Sequence, residues 1–424
     1  MLFREITQQR YTGFRDQYKE KNFWQSVEMA ELREDNTPSW DKTFVGLENE
    51  DGSLAAACVL VSLPVFGKLR LYMSLRGFLI DYDDLDLVRV FLDKLKTYLN
   101  AHDCLYMKVD PYVDYQPHDL NGEVLEGKKR DDLIAVFEQA GFHHEGFRVG
   151  NDVNFEPRWM SILDLKGKTK EDVFKAMHTN TRQSIRNAER MGVKVKELGR
   201  DELYILKELV DLAGEIRHFE APELSKYQAY ADHFQDDFKA CLAYIDLDSY
   251  RANVEKDRAR QVKTLEKAER DLEKTPDSQK KINRKKEAEY AIQGCDKKLA
   301  EIKQYKDAYG TVLYLAAASF MVTPFEVLYL FSGSNKDLNR FAGSFMIQWH
   351  MIQMAIEHGC DRYNFYGISG DFDESAEDYG VFTFKRSFNA IVAELVGDFT
   401  YVAKPSQYKL YNGLRTIKHK LQNL

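Results

Sequence analysis

The sequence predicts an α/β protein into which an antiparallel helical hairpin is inserted. Three observations support this prediction: a helix–strand unit that occurs twice, a pair of apolar runs around 312–331, and a highly charged helical stretch at 250–306. The chain has 424 residues, which is enough for two or three domains that each bury a core.

The repeated unit consists of a helical pattern that passes into an apolar strand. The first copy, 87–110, has apolar residues at helical spacing and leads into the strand 105–109; the second copy, 340–366, leads in the same way into the strand 363–366. Each copy follows an apolar strand and a turn that contains arginine and glycine. Two related α/β units facing one another would explain the repeat, and chance similarity of a single unit explains it equally well.

The apolar stretch 312–331 is as long as a membrane span but carries Pro324 and Glu326 in its middle. Each half is rich in strand-forming residues, so the stretch predicts two buried strands that are joined by a turn at Thr323-Pro324.

Residues 246–307 are predicted to form the hairpin. Apolar residues share one face of each arm, and Thr275-Pro276-Asp277 interrupts the helical pattern between the arms. Each arm of about 25 residues would be roughly 35–40 Å long. The tip and the return helix are basic, which fits either an RNA-contacting patch or an ordinary solvated face; the patch comprises Lys280, Lys281, Arg284, Lys285 and Lys286.

A second basic feature is formed by Arg182, Arg186 and Arg190, which recur every four residues and share one helical face. Gly192 is placed to end this helix. The stripe could bind the phosphates of a nucleotide, a lipid pyrophosphate or a tRNA, whereas an ordinary charged face is the commoner explanation.

The bulk composition favours an ordered protein of the cytoplasm. The net charge is −8, so any contact with RNA must use local basic patches. The five cysteines are scattered and form no Cys-x-x-Cys pair, which favours reduced thiols over a disulfide framework or a zinc site. The charged start Met1–Glu5 lacks the apolar core of a signal peptide.

The most informative segment is 362–388. An alternating strand with Tyr363 and Phe365 ends at Gly367, and an acidic loop follows. The chain is then expected to run extended through Lys385, which lies among aromatic residues. A poorly solvated ammonium would bind an anion strongly, whereas a surface lysine on a strand is the plainer interpretation.

This segment resembles the signature of the Fem family, the tRNA-dependent aminoacyltransferases that build peptidoglycan bridges. Its Asn-Phe-Tyr-Gly, acidic loop and Phe-Lys match the family pattern, and the overall likeness is greatest to the FemA-like branch. Further matches run along the chain, at Phe23-Trp24-Gln25-Ser26, Arg76-Gly77 with Asp81-Tyr82, Val109-Asp110-Pro111 and Phe341-Ala342-Gly343-Ser344.

The resemblance implies two acetyltransferase-like subdomains that form one globule. The first would comprise 1–150 and the second 151–245 with 308–424, while the hairpin would contribute to tRNA contact. It also implies transfer of glycine, alanine or serine from aminoacyl-tRNA, without a cofactor. The acceptor would be the stem-peptide lysine or growing bridge of lipid II or of a UDP-MurNAc-pentapeptide-type precursor. A lipid-linked acceptor would bring the protein to the inner membrane face.

The resemblance also assigns site residues. Lys385 would stabilise the oxyanion or bind substrate, and Arg33 would bind the diphosphate, although an exposed helix residue is an equally good explanation of Arg33. Asp110 could deprotonate the attacking amine, or it could simply be a structural aspartate before Pro111. Weaker assignments as pocket-lining groups are Arg76, Tyr227, Tyr329, Tyr366 and Phe384.

Two other functions stay open. Residues 340–344 lie where coenzyme A-dependent acetyltransferases hold a pyrophosphate on a helix N-terminus, but the bulk of Phe345 opposes this. A non-catalytic binding module built on the hairpin is the other alternative. No metal-binding spacing of histidines and no ATP-binding loop is present in the sequence, so neither partner is expected.

Overall fold

The computed structural model describes residues 1–36, 39–150, 152, 156–217 and 219–422, and for Asn36, Arg217 and 417–422 it describes the backbone only. It confirms the α/β class. Over these ranges the helices are Gln8–Gln17 (α1), Val27–Asn36 (α2), Leu85–Ala101 (α3), Asp131–Gln139 (α4), Lys170–Ala176 (α5), Thr179–Met191 (α6), Leu203–Arg217 (α7), Leu224–Phe234 (α8), Leu247–Lys274 (α9), Gln279–Tyr309 (α10), Gly343–Glu357 (α11), Tyr379–Arg386 (α12) and Pro405–Gln422 (α13). Short 3-10 helices span Phe23–Gln25, Arg200–Glu202, Gln235–Asp237 and Lys336–Phe341.

The strands form two sheets in the described part of the chain. The first sheet has, in spatial order, Leu2–Glu5 (β1), Asp41–Glu48 (β2), Leu54–Phe66 (β3), Leu69–Leu75 (β4), Cys104–Asp110 (β5), Phe399–Val402 (β15) and Phe142–His144 (β7). The second has Asp114–Pro117 (β6), Ile391–Leu395 (β14), Trp159–Asp164 (β8), Arg362–Ile368 (β13), Glu326–Ser334 (β12), Val312–Val322 (β11), Phe238–Asp246 (β10) and Lys194–Glu197 (β9).

The repeated unit is confirmed as a pair of βαβ crossovers. In the first sheet β4 and β5 are parallel and α3 connects them; in the second sheet β12 and β13 are parallel and α11 connects them. Both helices bury an apolar face, which for α3 comprises Val88, Phe91, Leu92, Leu95 and Leu99. The same unit therefore forms the centre of each half of the molecule.

The apolar stretch 312–331 is confirmed as two strands. β11 and β12 pair in an antiparallel manner on either side of Thr323, whose hydroxyl accepts a hydrogen bond from the Glu326 N–H at 3.0 Å. Among the described helices, none is both long and apolar enough to cross a bilayer.

The hairpin is confirmed as well. α9 and α10 have 28 and 31 residues, so each arm is about 42–46 Å long. Ion pairs join the arms along their length and fix their antiparallel register, with Lys306 to Asp248 at 2.6 Å near the base and Lys285 to Glu269 at 3.0 Å near the tip.

The two sheets exchange strands, which the predicted subdomain ranges did not anticipate. β6 comes directly after β5 of the first sheet in sequence, yet it pairs with β14 in the second sheet. Conversely, β15 comes late in the chain but lies between β5 and β7 in the first sheet. The segments 1–150 and 308–424 therefore each contribute a strand to the other half.

The predicted extended run around Lys385 is wrong, because residues 379–386 form the helix α12. The buried positions Phe382, Lys385 and Phe388 are three residues apart, which is the spacing of one helical face and not of a strand. The acidic loop before α12 is present, and the Asp378 carboxylate anchors it by accepting hydrogen bonds from the N–H and hydroxyl of Ser369 at 3.0 and 2.7 Å.

A glycine fixes the close approach of α7 to β12. A Cβ atom on Gly333 would lie 1.9 Å from the carbonyl oxygen of Leu209, so Gly333→Ala must push α7 away from the sheet. We expect this substitution to lower the melting temperature by several degrees in a calorimetric scan. The control is Gly294→Ala on α10, where nothing lies within 4 Å and alanine should stabilise the helix by about 0.5–1 kcal/mol. Equal effects of the two substitutions would contradict this interpretation.

Candidate active site

The motif Phe23-Trp24-Gln25-Ser26 connects the first helices to the first sheet. Gln25 is buried, and its amide donates hydrogen bonds to the Leu75 carbonyl at 2.7 Å and to the Ser74 hydroxyl at 3.1 Å. The Ser26 hydroxyl accepts a hydrogen bond from the Met29 N–H at 3.0 Å and so caps α2. This arrangement sets the direction of α2, which carries Arg33.

Arg76 and Asp110 form a buried pair at the ends of the parallel strands β4 and β5. The Arg76 N–H donates to Asp110 Oδ1 at 2.9 Å, and the guanidinium Nη1 lies 3.3 Å from Oδ2. The second contact is an ion pair whose geometry is not that of a hydrogen bond, so Oδ2 keeps its accepting capacity. Burial raises the pKa of Asp110 from 3.8 to about 7, although Arg76 acts to lower it.

Aromatic rings connect this pair to the second half of the molecule. The Arg76 guanidinium lies 5.4 Å from the ring centre of Trp24 and 5.6 Å from that of Tyr112. Trp24 in turn stacks on Tyr366 at 6.0 Å. Motifs from four distant parts of the sequence, which include Gln25, Arg76, Asp110 and Tyr366, therefore meet where the ends of β4 and β5 approach β13.

A cavity of about 520 Å³ opens where β12 and β13 separate, and we call it the α11 cavity because the N-terminus of α11 forms one wall. The parallel register of β12 with β13 extends from Glu326↔Arg362 to Leu328↔Asn364, and beyond it the strands diverge. Four of the predicted site residues line this cavity, namely Tyr329, Tyr366, Phe384 and Lys385.

The α11 cavity has a positive electrostatic character. Lys385 is buried, and its Nζ donates a hydrogen bond to the Gly367 carbonyl at 2.5 Å. In the described chain no side chain caps α11, which begins at Gly343, so its first N–H groups are directed towards this end of the helix. An ammonium and a helix N-terminus in one cavity favour a carboxylate, a phosphate or a developing oxyanion.

Phe345 forms part of the same wall. Its ring meets that of Phe384 edge-on at 5.0 Å and stacks on that of Phe388 at 5.8 Å. The aromatic bulk next to the start of α11 thus occupies space in the cavity, as the sequence led us to expect.

Two smaller cavities adjoin the α11 cavity at the junction of the sheets. The first, of about 390 Å³, lies along α2 and shares Leu330 and Tyr366 with the α11 cavity; we call it the α2 cavity. The second, of about 200 Å³, is lined by Asp110 and is called the Asp110 cavity. Arg33 and Glu156 line both of these. The three cavities are therefore adjacent, and neighbouring cavities share lining residues along the series from Lys385 to Asp110.

Arg33 is half-buried and faces the cavities, so it is not the exposed helix residue of the alternative interpretation. Burial lowers the pKa of its guanidinium, and the nearby Glu156 opposes that effect.

Glu156 is a site residue that the sequence did not reveal. Its carboxylate accepts a hydrogen bond from the Tyr366 hydroxyl at 2.5 Å. Glu156 also favours the charged form of Arg76. Burial alone would lower the pKa of Arg76, whereas the nearby carboxylates of Asp110 and Glu156 raise it. A single glutamate before Pro157 carries no pattern that would mark it in a sequence.

Two predicted pocket residues lie outside the series of cavities. Tyr227 is fully buried and packs edge-on against Phe331 at 5.4 Å, so it supports the wall of the α2 cavity from behind. Burial raises the pKa of Tyr227. Arg76 is only 2% exposed and lies behind Trp24, where it holds Asp110 and lines a separate cavity.

The arginine stripe is on α6, which ends at Gly192 in the left-handed conformation, as predicted. Arg182 is half-buried and donates hydrogen bonds to the Lys175 carbonyl and to the Thr179 hydroxyl, whereas Arg186 and Arg190 are exposed. Gly192 faces Asn253 near the base of the hairpin.

The basic patch at the hairpin tip is partly engaged in holding the hairpin together. Lys281 donates to the Asp271 carbonyl at 2.9 Å and to the Thr275 hydroxyl at 2.6 Å, and Lys285 pairs with Glu269 at 3.0 Å. Arg284 is exposed. Eighteen residues of α9 separate Asn253 from Asp271, so the tip patch is roughly 27 Å from the α6 stripe along the arm.

Comparison with known proteins shows similarity to one family along nearly the whole chain. Residues 6–416 match the FemAB family. The chain is 36% identical to Aminoacyltransferase FemA of Staphylococcus epidermidis over 418 residues, which cover 99% of each chain. It is 34% identical to Aminoacyltransferase FemA of Staphylococcus aureus over 421 residues, which cover 99% of this chain and 100% of that one.

The fold has a solved counterpart too. The crystal structure of FemX superposes with a TM-score of 0.80 at 22% identity and covers 97% of this chain and 99% of its own. With a family match from end to end and relatives more than 30% identical over their full lengths, this chain belongs to the FemAB family and is an aminoacyltransferase.

Proposed function

We propose that the protein transfers glycine, alanine or serine from aminoacyl-tRNA to the stem-peptide lysine, or to the growing bridge, of a peptidoglycan precursor, with lipid II as the favoured form. The observation that carries this proposal is the adjacency of the three cavities, because a transferase must bring two large substrates to one point. The site lies on the cytoplasmic side of the membrane, where charged tRNA is available.

In this proposal the aminoacyl ester occupies the α11 cavity. The acceptor amine attacks the ester carbonyl carbon, and a tetrahedral oxyanion forms. The ammonium of Lys385 and the first N–H groups of α11 are in the right cavity to stabilise that negative charge. The carbon–oxygen bond to the ribose then breaks, the ribose oxygen takes up a proton, and an amide remains. The ester is already activated, so no cofactor is required.

The acceptor would enter from the other end of the series. Arg33 lies between the α2 and Asp110 cavities and suits a diphosphate, because a guanidinium binds phosphate oxygens in pairs. Asp110, with a pKa of about 7, suits removal of the proton from the attacking ammonium. The arginine stripe on α6 and the exposed Arg284 are proposed contacts for the tRNA backbone.

The direct test combines the purified protein with lipid-linked precursor and a panel of charged tRNAs, with RNase-treated controls, and measures product mass. We expect an RNase-sensitive gain of one glycine, alanine or serine residue. Acceptors with and without a first bridge residue should be compared, since each presents a primary amine to the site. No gain with any tRNA on either acceptor would overturn the proposal.

Arg33 offers a narrower prediction. Arg33→Met keeps the apolar stem and removes the charge, so the KM for the precursor should rise about tenfold or more while kcat changes little. The control is Arg89→Met, which removes an exposed arginine that pairs with Asp86 on α3. If Arg33→Met lowered kcat and left KM unchanged, Arg33 would not be the diphosphate contact.

A further inference from the structure

The helix α13 presents apolar side chains to solvent as well as to the protein. Tyr408 and Tyr411 face inward and pack on Tyr106 of β5, with ring centres 4.9 and 6.0 Å apart. On the outward side, Leu410 and Leu414 are 56% and 50% exposed and lie one helical turn apart. The sequence continues this spacing at Ile417 and Leu421.

The same segment is basic. From Phe399 onward the sequence contains no aspartate or glutamate, and residues 404–424 include five lysines and arginines: Lys404, Lys409, Arg415, Lys418 and Lys420. The net charge of the whole chain is −8, so subtracting these five positive charges leaves −13 for residues 1–403. Lys409 and Arg415 are exposed and flank the two leucines.

We propose that α13 is a docking surface for an anionic lipid bilayer. The helix would lie in the plane of the interface, with Leu410 and Leu414 in contact with the acyl chains and the neighbouring cations against acidic headgroups. Nucleic acid explains less of the surface, because leucines add nothing to phosphate binding and the two tyrosines near the helix start, which could stack on bases, face inward.

The position of α13 relates this surface to the site. Tyr106, on which α13 packs, is four residues before Asp110 on β5, a distance of about 13 Å along a strand. Lys108 lies between them and lines the Asp110 cavity. Burial lowers the pKa of Lys108, and Arg415 of α13 is close enough to lower it further. A bilayer under α13 would therefore lie close to the cavity that receives the acceptor.

The docking surface is inferred from the side chains of α13 alone and does not depend on the transfer chemistry. Only its relation to a lipid-linked acceptor rests on the proposed function. The first experiment is flotation of the full chain with vesicles of phosphatidylcholine alone and with about 30% phosphatidylglycerol, without substrate. We expect binding to the anionic vesicles that falls steeply as salt is raised.

Two variants test the two components of the surface. Leu410→Gln with Leu414→Gln should reduce binding to anionic vesicles about tenfold or more, and Lys409→Glu with Arg415→Glu should abolish it. The matched controls are Val124→Gln with Leu125→Gln, an exposed apolar pair elsewhere, and Lys263→Glu with Lys267→Glu on α9. Both controls should bind as the unaltered protein does.

Activity separates this proposal from the proposed function. The leucine variant should keep its transfer rate on detergent-solubilised precursor and lose most of it on precursor in vesicles. Unchanged vesicle binding by the leucine variant would overturn the docking surface, even if transfer proceeds normally. Loss of tRNA binding by the charge-reversal variant, with vesicle binding intact, would instead identify α13 as a nucleic-acid surface and would equally overturn it.

Discussion

Lys385→Gln is expected to lower kcat by about 10²–10³-fold, which is the usual consequence of removing one group that stabilises an oxyanion. Glutamine is chosen because its amide can still donate the hydrogen bond that Lys385 makes to the Gly367 carbonyl at 2.5 Å. The substitution therefore removes the charge and keeps the anchoring contact. Single-turnover transfer from charged tRNA, at saturating acceptor, measures the effect on the chemical step.

The control for Lys385 is the next residue on α12. Arg386→Gln removes a cation that lies over the ring of Phe382 at 5.2 Å and donates to Asn121 at 3.1 Å, and we expect a change of no more than about twofold. Melting temperatures of both variants show whether α12 remains folded. If the Lys385→Gln enzyme is folded and retains more than about a third of the kcat, Lys385 does not take part in catalysis.

Asp110→Asn is expected to abolish the part of the pH–rate profile that depends on a group with a pKa near 7. Asp110 can accept a proton only as the carboxylate, so the rate should rise as pH increases through about 7. Above that pH Asp110 is fully deprotonated and should cause no further increase. The asparagine variant should lose this inflection together with about 10²–10⁴-fold in rate. Profiles of kcat/KM for the acceptor, measured from pH 5.5 to 8.5, make the comparison.

The raised pKa of Asp110 also makes the stability of the protein depend on pH. The pKa of Asp110 is higher in the folded protein than its ordinary value of 3.8, so the folded state holds this proton more tightly. Its contribution to the free energy of unfolding is fully present below about pH 4 and is lost as pH rises to about 7.

Asp110→Glu serves as the second variant, because it retains a carboxylate beside the buried Arg76, whose guanidinium cannot lose its charge. This variant should keep the inflection near neutral pH at a reduced rate. If Asp110→Asn kept the inflection as well, the titrating group would have to be another one, and Asp110 would serve only to hold Arg76 in place.

Much of the fold could be predicted from the sequence, because several of its elements have strong local patterns. The hairpin is specified by apolar positions at helical spacing and by a break at Pro276, and the two βαβ units by a helix that runs directly into an apolar strand. The turn at Thr323-Pro324 divides an apolar stretch that would otherwise resemble a single membrane-spanning segment. These signals lie within single elements and the turns between them, so they need no knowledge of distant partners.

Other features depended on contacts between distant parts of the chain. The helix α12 was missed because its buried face includes Lys385, and a lysine at a buried position hides the helical period. Glu156 lies in a connecting segment without a pattern, and its role arises only from its bond to Tyr366. Tyr227 was assigned to the pocket by likeness alone, whereas packing places it behind Phe331.

The exchange of strands between the sheets determines when the protein can assemble during its synthesis. β7 is held in the first sheet through β15, and 258 residues separate His144 from Val402. At about 5–20 residues per second, a ribosome needs roughly 13–50 s to bridge that interval. Throughout it the edge of β5 is open to other strands. A nascent chain is thus exposed to mispairing until residues 399–402 emerge, and the Asp110 cavity, which Phe399 and Thr400 help to line, is among the last parts of the molecule to form.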